Sequence, residues 1–163
     1  MAVEVEKMDY ITSIKMLSGF DYTFHGKKYH FSTNTSDQAN FTKQICDCNL
    51  SLQLAAMSAE ERASRYPDGL PTSLPDDMTI GWRGHLEDGT AETLLMTQSE
   101  FLDLAKAFGD ATRKALTDGW VIKQQMAACA DKVALDAYCE EIKLEDQLRA
   151  ARELADEKKY IIV

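Results

Sequence analysis

The feature that most constrains this chain is a run of roughly sixty residues, 97–159, that contains no proline and opens on Thr97-Gln98-Ser99-Glu100. That opening is a capping box: the Thr97 hydroxyl can accept from the Glu100 amide while the Glu100 carboxylate returns to the Thr97 amide. An apolar seam follows at spacings of three and four through Phe101, Leu104, Phe108, Ala111, Ala115, Ile122, Met126, Cys129 and Val133, then less regularly through Tyr138, Ile142, Leu148 and Leu154. One unbroken helix of that length would reach about 90 Å at 1.5 Å per residue, far beyond a small domain. Such a helix needs a partner along its seam, or it must break. Asp118-Gly119-Trp120 is the candidate break, which would give an antiparallel helical hairpin, and the pattern leaves both forms open.

Upstream, Tyr22, Phe24, Tyr29 and Phe31 fall on one face if residues 21–32 form a β-hairpin with Gly26-Lys27 as its turn. That register sets Phe24 opposite Tyr29 and Tyr22 opposite Phe31, with Thr23, His25, Lys28 and His30 on the wet face. A second hairpin, residues 79–97, is predicted around Asp88-Gly89, with Trp82 facing Leu95 and with Ile80, Leu86 and Ala91 on the same side. Between the hairpins, Thr33-Asn34-Thr35-Ser36-Asp37 is rich in N-cap residues and leads into Phe41, Ile45, Cys48, Leu52 and Ala55 or Ala56. These predict an amphipathic helix over residues 37–57. Ser58 and Glu61 form a second capping box, and all three prolines lie in residues 66–78, an irregular connection.

The two ends are less decided. Ala2-Val3-Glu4-Val5-Glu6 alternates as a short strand would, while Ile11, Ile14 and Leu17 suit a helical turn or two. The expectation is an N-terminal arm, residues 1–19, that packs on a partner or completes the core. An α+β unit over residues 20–142 follows, and then an extension, residues 143–163, that is helical and ends in Lys-Lys-Tyr-Ile-Ile-Val, a β-prone tail suited to augmenting another sheet. The fold class read from this order is α+β: two short antiparallel hairpins packed with helices and dominated by the long C-terminal helix, or by a helical hairpin broken near Gly119.

With 163 residues, 45% hydrophobic and 28% charged, the chain suits one folded core. A net charge of −9 argues against nucleic acid, whose affinity rests on Lys and Arg displacing condensed counterions. No apolar run approaches the roughly 20 residues of a membrane span, and the acidic first fifteen residues do not read as a signal peptide. Four cysteines without such a signal read as free thiols of a protein made in the cytoplasm.

Chemistry-bearing residues are sparse. Cys46-x-Cys48 on a helix points its thiols to nearly opposite sides, and Cys129 and Cys139 have no ligand partners in sequence. His25, His30 and His85 are scattered, with no carboxylate at fixed spacing and no Ser or Cys in a nucleophile motif. Gly81-Trp82-Arg83-Gly84 lacks the Gly-Lys-Ser/Thr of a phosphate loop. Glu140-Glu141 and Glu145-Asp146 are interleaved with Lys143, Arg149 and Arg152 and read as a charged helix face. The reading is of no enzyme, cofactor or metal. The residues expected to make protein contacts are Ile122, Met126, Val133, Ile142 and Leu148 of the seam and Ile161 and Ile162 of the tail.

The order of these pieces resembles a domain of unknown function that recurs in bacteriophage tail and tail-fibre proteins. The matching residues are Tyr22-Thr23-Phe24-His25-Gly26 with Tyr29 and Phe31, residues 33–41, Trp82, residues 94–100, and Leu102-Asp103-Leu104-Ala105-Lys106-Ala107-Phe108, so that the resemblance covers residues 19–142. The long connection over residues 59–78 and both chain ends depart from it. What the resemblance implies is a non-catalytic structural component of a phage or prophage tail, made in the bacterial host cytoplasm and located in the virion tail. It would contact itself as a homo-oligomer, a coiled-coil trimer being natural for an unbroken helix, and would contact other tail proteins. The runner-up is a tail-fibre assembly chaperone or adaptor that leaves the finished particle.

Overall fold

A computed structural model describes residues 1–69 and 79–157. Its elements in chain order are α1 (Ala2–Leu17), β1 (Phe20–Phe24), β2 (Lys27–Phe31), α2 (Thr35–Ala56), α3 (Ala59–Arg65), β3 (Ile80–His85), β4 (Ala91–Met96), α4 (Gln98–Ala128), α5 (Lys132–Glu141) and α6 (Leu144–Glu157). The protein is an α+β fold in which one four-stranded antiparallel sheet, ordered β1-β2-β3-β4, packs against helices.

The first hairpin carries its aromatic face as expected, but its turn is His25-Gly26 and its register pairs Tyr22 with Tyr29 and Phe20 with Phe31. Both turn residues have positive φ, 48° and 79°, the geometry whose twist matches that of the strands. The shift from the predicted register is two residues, so no side chain changes face. The second hairpin slips by one. Leu86 and Thr90 pair across a three-residue loop closed by Gly89 at φ 83°, and Trp82 therefore faces Leu94, not Leu95. A one-residue slip reverses a strand's faces. Leu94 and Met96 are buried, whereas Leu95 is 68% exposed.

The two hairpins join through a single bridging pair, His30 with His85. Side chains reinforce the joint: the Tyr29 hydroxyl and the Lys27 ammonium both donate to Glu92, at 2.8 and 2.7 Å. On the covered face an aromatic cluster centres on Phe41 of α2. It lies 4.8 Å from Phe108 with the rings nearly parallel, 5.7 Å from Phe101 and 4.4 Å from Trp82. Such pairs contribute roughly 0.5–1.5 kcal/mol each beyond area burial. Phe20, Phe31, Leu94, Met96, Phe101 and Leu104 complete this first core. In α2 the buried positions are Phe41, Cys48, Ser51 and Leu54, and the predicted seam residue Leu52 is half exposed. Asn34 caps α2 through the Asp37 amide, and both predicted capping boxes form, Ser58 with Glu61 and Thr97 with Glu100.

The N-terminal arm is corrected. Residues 2–6 are helical, not a strand, and α1 inserts Met8, Ile11 and Ile14 into a second core with Met126, Leu135, Leu144, Leu148, Ala151 and Ala155. The long helix is also corrected: it neither runs on to residue 159 nor breaks at Gly119. It ends after Ala128, and Asp131 caps α5 by accepting from the Ala134 amide at 2.8 Å. A second reversal places Lys143 in the left-handed region, φ 52°, and Gln147 donates to the freed Ile142 carbonyl at 2.8 Å. The β-prone tail, with Ile161 and Ile162, lies outside the described residues, as do residues 70–78 of the proline-rich connection.

Gly119 has a packing role instead. A Cβ there would stand 2.2 Å from the Thr12 hydroxyl oxygen, so its absence lets α1 cross α4 in close contact. Gly119→Ala would gain about 1 kcal/mol of helix propensity yet is expected to destabilise the protein by about 1–3 kcal/mol, because the added methyl must push the two helices apart. Urea unfolding reads this directly. Adding Thr12→Ala should recover part of the loss, and two independent, additive effects would contradict the crossing.

Candidate protein-interaction surface

The residues expected to contact partners do not gather on one surface. Met126 is fully buried and Leu148 is buried, both in the second core, and Ile122 and Ile142 pack half-buried against it. Val133, at the first turn of α5, stands apart at 77% exposed. The seam read from residue spacing is real, but the chain closes it on itself: α4 meets α1 on one side, and the reversals at residues 129–131 and 142–143 return α6 against α1. A neighbour could reach Met126 or Leu148 only by opening that core.

What α4 leaves outside is a different set. Leu116 is half exposed, Trp120 is 58% exposed and Val121 is 41% exposed. Leu116 and Trp120, one turn apart, sit above one another on one side of the helix. They form one wall of a groove of about 550 Å³ whose other wall is α1, with Asp9, Thr12, Ser13 and Met16. Asp9 and Lys123 pair across it at 2.5 Å, and among the described residues the Thr12 hydroxyl has no hydrogen-bond partner. An exposed tryptophan over a largely apolar groove suits protein contact, because indole combines a large apolar area with a single polar donor. In the sequence Trp120 falls within the candidate helix break Asp118-Gly119-Trp120. The available signal was two bulky residues, Leu116 and Trp120, four apart and off the line through Ala115, Ile122 and Met126.

His25 and His30 tie elements of the fold together. His25 Nε2 lies 2.8 Å from Glu100, tying the first hairpin's turn to the N-terminus of α4. The Thr97 amide and then His25 hold the Glu100 carboxyl below its usual range. His30 sits 2.9 Å from Asp21 and 2.8 Å from the Ser18 carbonyl. His30 first, and Lys28 next, likewise hold the Asp21 carboxyl low. His85 is its cross-strand neighbour. Cys46 is exposed and Cys48 buried, on different sides of α2, and burial pushes the Cys48 thiol up. Among the described residues no group of three or more His, Cys, Asp or Glu is placed to hold a metal ion, and no helix is long and apolar enough to cross a membrane.

Replacing Met126 by Asp sets an unpaired charge in a packed core and is expected to cost several kcal/mol. The readout is chemical denaturation at two protein concentrations. The midpoint should fall equally at both, as for a lesion inside one chain; a loss that grows on dilution would return Met126 to an intersubunit seam. Comparison with family models, with characterised proteins and with solved structures finds no match to this chain, so its function is read from its own residues.

Proposed function

We propose that this chain is a non-catalytic structural component of a bacteriophage or prophage tail, acting through protein contacts with other tail proteins and with copies of itself. The observation that carries the contact role is the apolar stretch of Leu116, Trp120 and Val121 left in solvent beside the α1/α4 groove. Burying a tryptophan and its neighbours at an interface supplies the kind of energy that dominates protein association, often 2 kcal/mol or more from one such residue. The phage assignment rests on the resemblance carried by the aromatic hairpin, Trp82, the Thr97 capping box and the helix that follows.

A second reading is favoured by one observation. The helices fold back at residues 129–131, so among the described residues no sixty-residue rod projects to be built into a fibre. A folded body with an exposed apolar patch at Trp120 suits an assembly chaperone or adaptor that binds a tail protein and then leaves. Mass spectrometry of purified particles separates the two: a stoichiometric presence supports the structural role, and absence from particles alongside co-purification with unassembled tail protein supports the adaptor.

Trp120→Glu tests the surface itself. Far-UV circular dichroism should be unchanged because the side chain is already exposed, while self-association measured by light scattering should weaken by about thirtyfold or more, the equivalent of 2 kcal/mol. A wild-type protein that remains monomeric at every concentration would remove the homo-oligomer from the proposal.

A further inference from the structure

The sheet parts between its two hairpins. β2 and β3 meet at a single bridging pair, His30 with His85. Carried two residues further, that register would set Ser32 opposite Arg83. Instead β2 ends at Phe31 and Asn34 caps α2, so the chain turns away from β3, which reaches back through Arg83 and Trp82 to Ile80. Between the parting elements lies a cleft of about 420 Å³, within the range of small-molecule sites, roughly 300–1,000 Å³.

Its chemistry comes from Asn34, Asp37 and Asn40 at the start of α2 and from Trp82, Arg83 and His85 of β3. The indole is held from behind, its ring centroid 4.4 Å from that of Phe41 and 5.1 Å from that of Phe101, and it is only partly buried. The Asn34 carbonyl accepts from the Asp37 amide at 2.9 Å, which fixes that side chain and leaves its N–H donors over. Among the described residues the side chains of Asp37, Asn40 and Arg83 hold no hydrogen bond or ion pair. One carboxylate acceptor, one guanidinium donor and an amide that does both therefore stand around one aromatic edge. The two unlike charges decide what fits. A cation drawn to Asp37 would meet Arg83, and an anion drawn to Arg83 would meet Asp37. A hydroxyl group donates and accepts at once, so a neutral ring bearing several satisfies both, while its C–H face packs on the indole.

We propose that the cleft between β2 and β3 binds a neutral saccharide. A pyranose ring seats against Trp82, with its hydroxyls shared between Asp37 and Asn40 of α2 and Arg83 of β3. This site has no residue in common with the groove of Leu116 and Trp120, which is built from α1 and α4. A sugar and a protein partner are therefore held by different parts of the chain.

NMR titration of the full chain with methyl α-glucoside, methyl α-galactoside, methyl α-mannoside and N-acetylglucosamine tests this. At least one should shift the Trp82 indole N–H and the Arg83 and Asn40 side-chain signals saturably, with the Trp120 indole unmoved. Arg83 and Asn40 are exposed, so Arg83→Ala and Asn40→Ala should leave the remaining spectrum unchanged. Arg83→Ala should weaken binding about tenfold and Asn40→Ala severalfold. Glucuronate, glycine and inorganic phosphate, which carry charge, should bind more weakly than the best neutral ring. Saturable shifts from none of the four sugars overturn the proposal. So do shifts that survive both substitutions, and so does tighter binding of any charged probe, which would assign the cleft to an ion.

Discussion

One helix serves two cores, and the rest of the structure follows from that sharing. The first turns of α4 place Phe101, Leu104 and Phe108 under the sheet, against Phe41, Phe31 and Met96. Five turns further on, Met126 belongs to a separate cluster with α1, α5 and α6. At roughly 1.5 Å per residue α4 is about 46 Å long, too long for either cluster to cover alone. Whatever lies outside both must be solvent-tolerant or must meet another molecule. Leu116, Trp120 and Val121 fall in the interval between the cores, and Leu116 and Trp120 border the groove that α4 forms with α1.

The close crossing of α1 and α4 gives the second core its geometry. Gly119 costs helix propensity, but at that point it permits contact with Thr12 that any side chain would prevent. The crossing seats Met8, Ile11 and Ile14 where α6 can cover them from the other side. Thr33 ties the same region to the sheet, its hydroxyl donating to the Met16 carbonyl at 2.6 Å and accepting from the Gly19 amide at 2.9 Å. The N-terminal residues, which alone look like a detachable arm, are therefore fixed at both ends.

Much of this was legible in the residues where a local rule decides. Capping boxes at Ser58 and Thr97 form because the side chains that satisfy helix-end amides lie within three residues of them. The aromatic face of the first hairpin survives its register shift because strands alternate with period two. Legibility ended where long-range packing decides. Asp131 caps a helix without a Glu or Gln three residues on, and Lys143 takes a left-handed conformation that usually signals itself by glycine, so neither reversal announces itself. Spacing showed that Ile122, Met126 and Leu148 belong to an apolar seam, yet it cannot say whether the covering surface comes from the same chain. That distinction moved the candidate surface from Met126 to Trp120, two turns away on a different side of the helix.

In this structure α1 closes the α4 seam within one molecule. Isotope-filtered NMR on a mixture of labelled and unlabelled chains tests it most directly, because it separates contacts within a chain from those between chains. A strong contact between the Thr12 methyl group and the Gly119 α-protons is expected, intramolecular and independent of concentration. The same contact found only between labelled and unlabelled chains, or no contact at all, would contradict it.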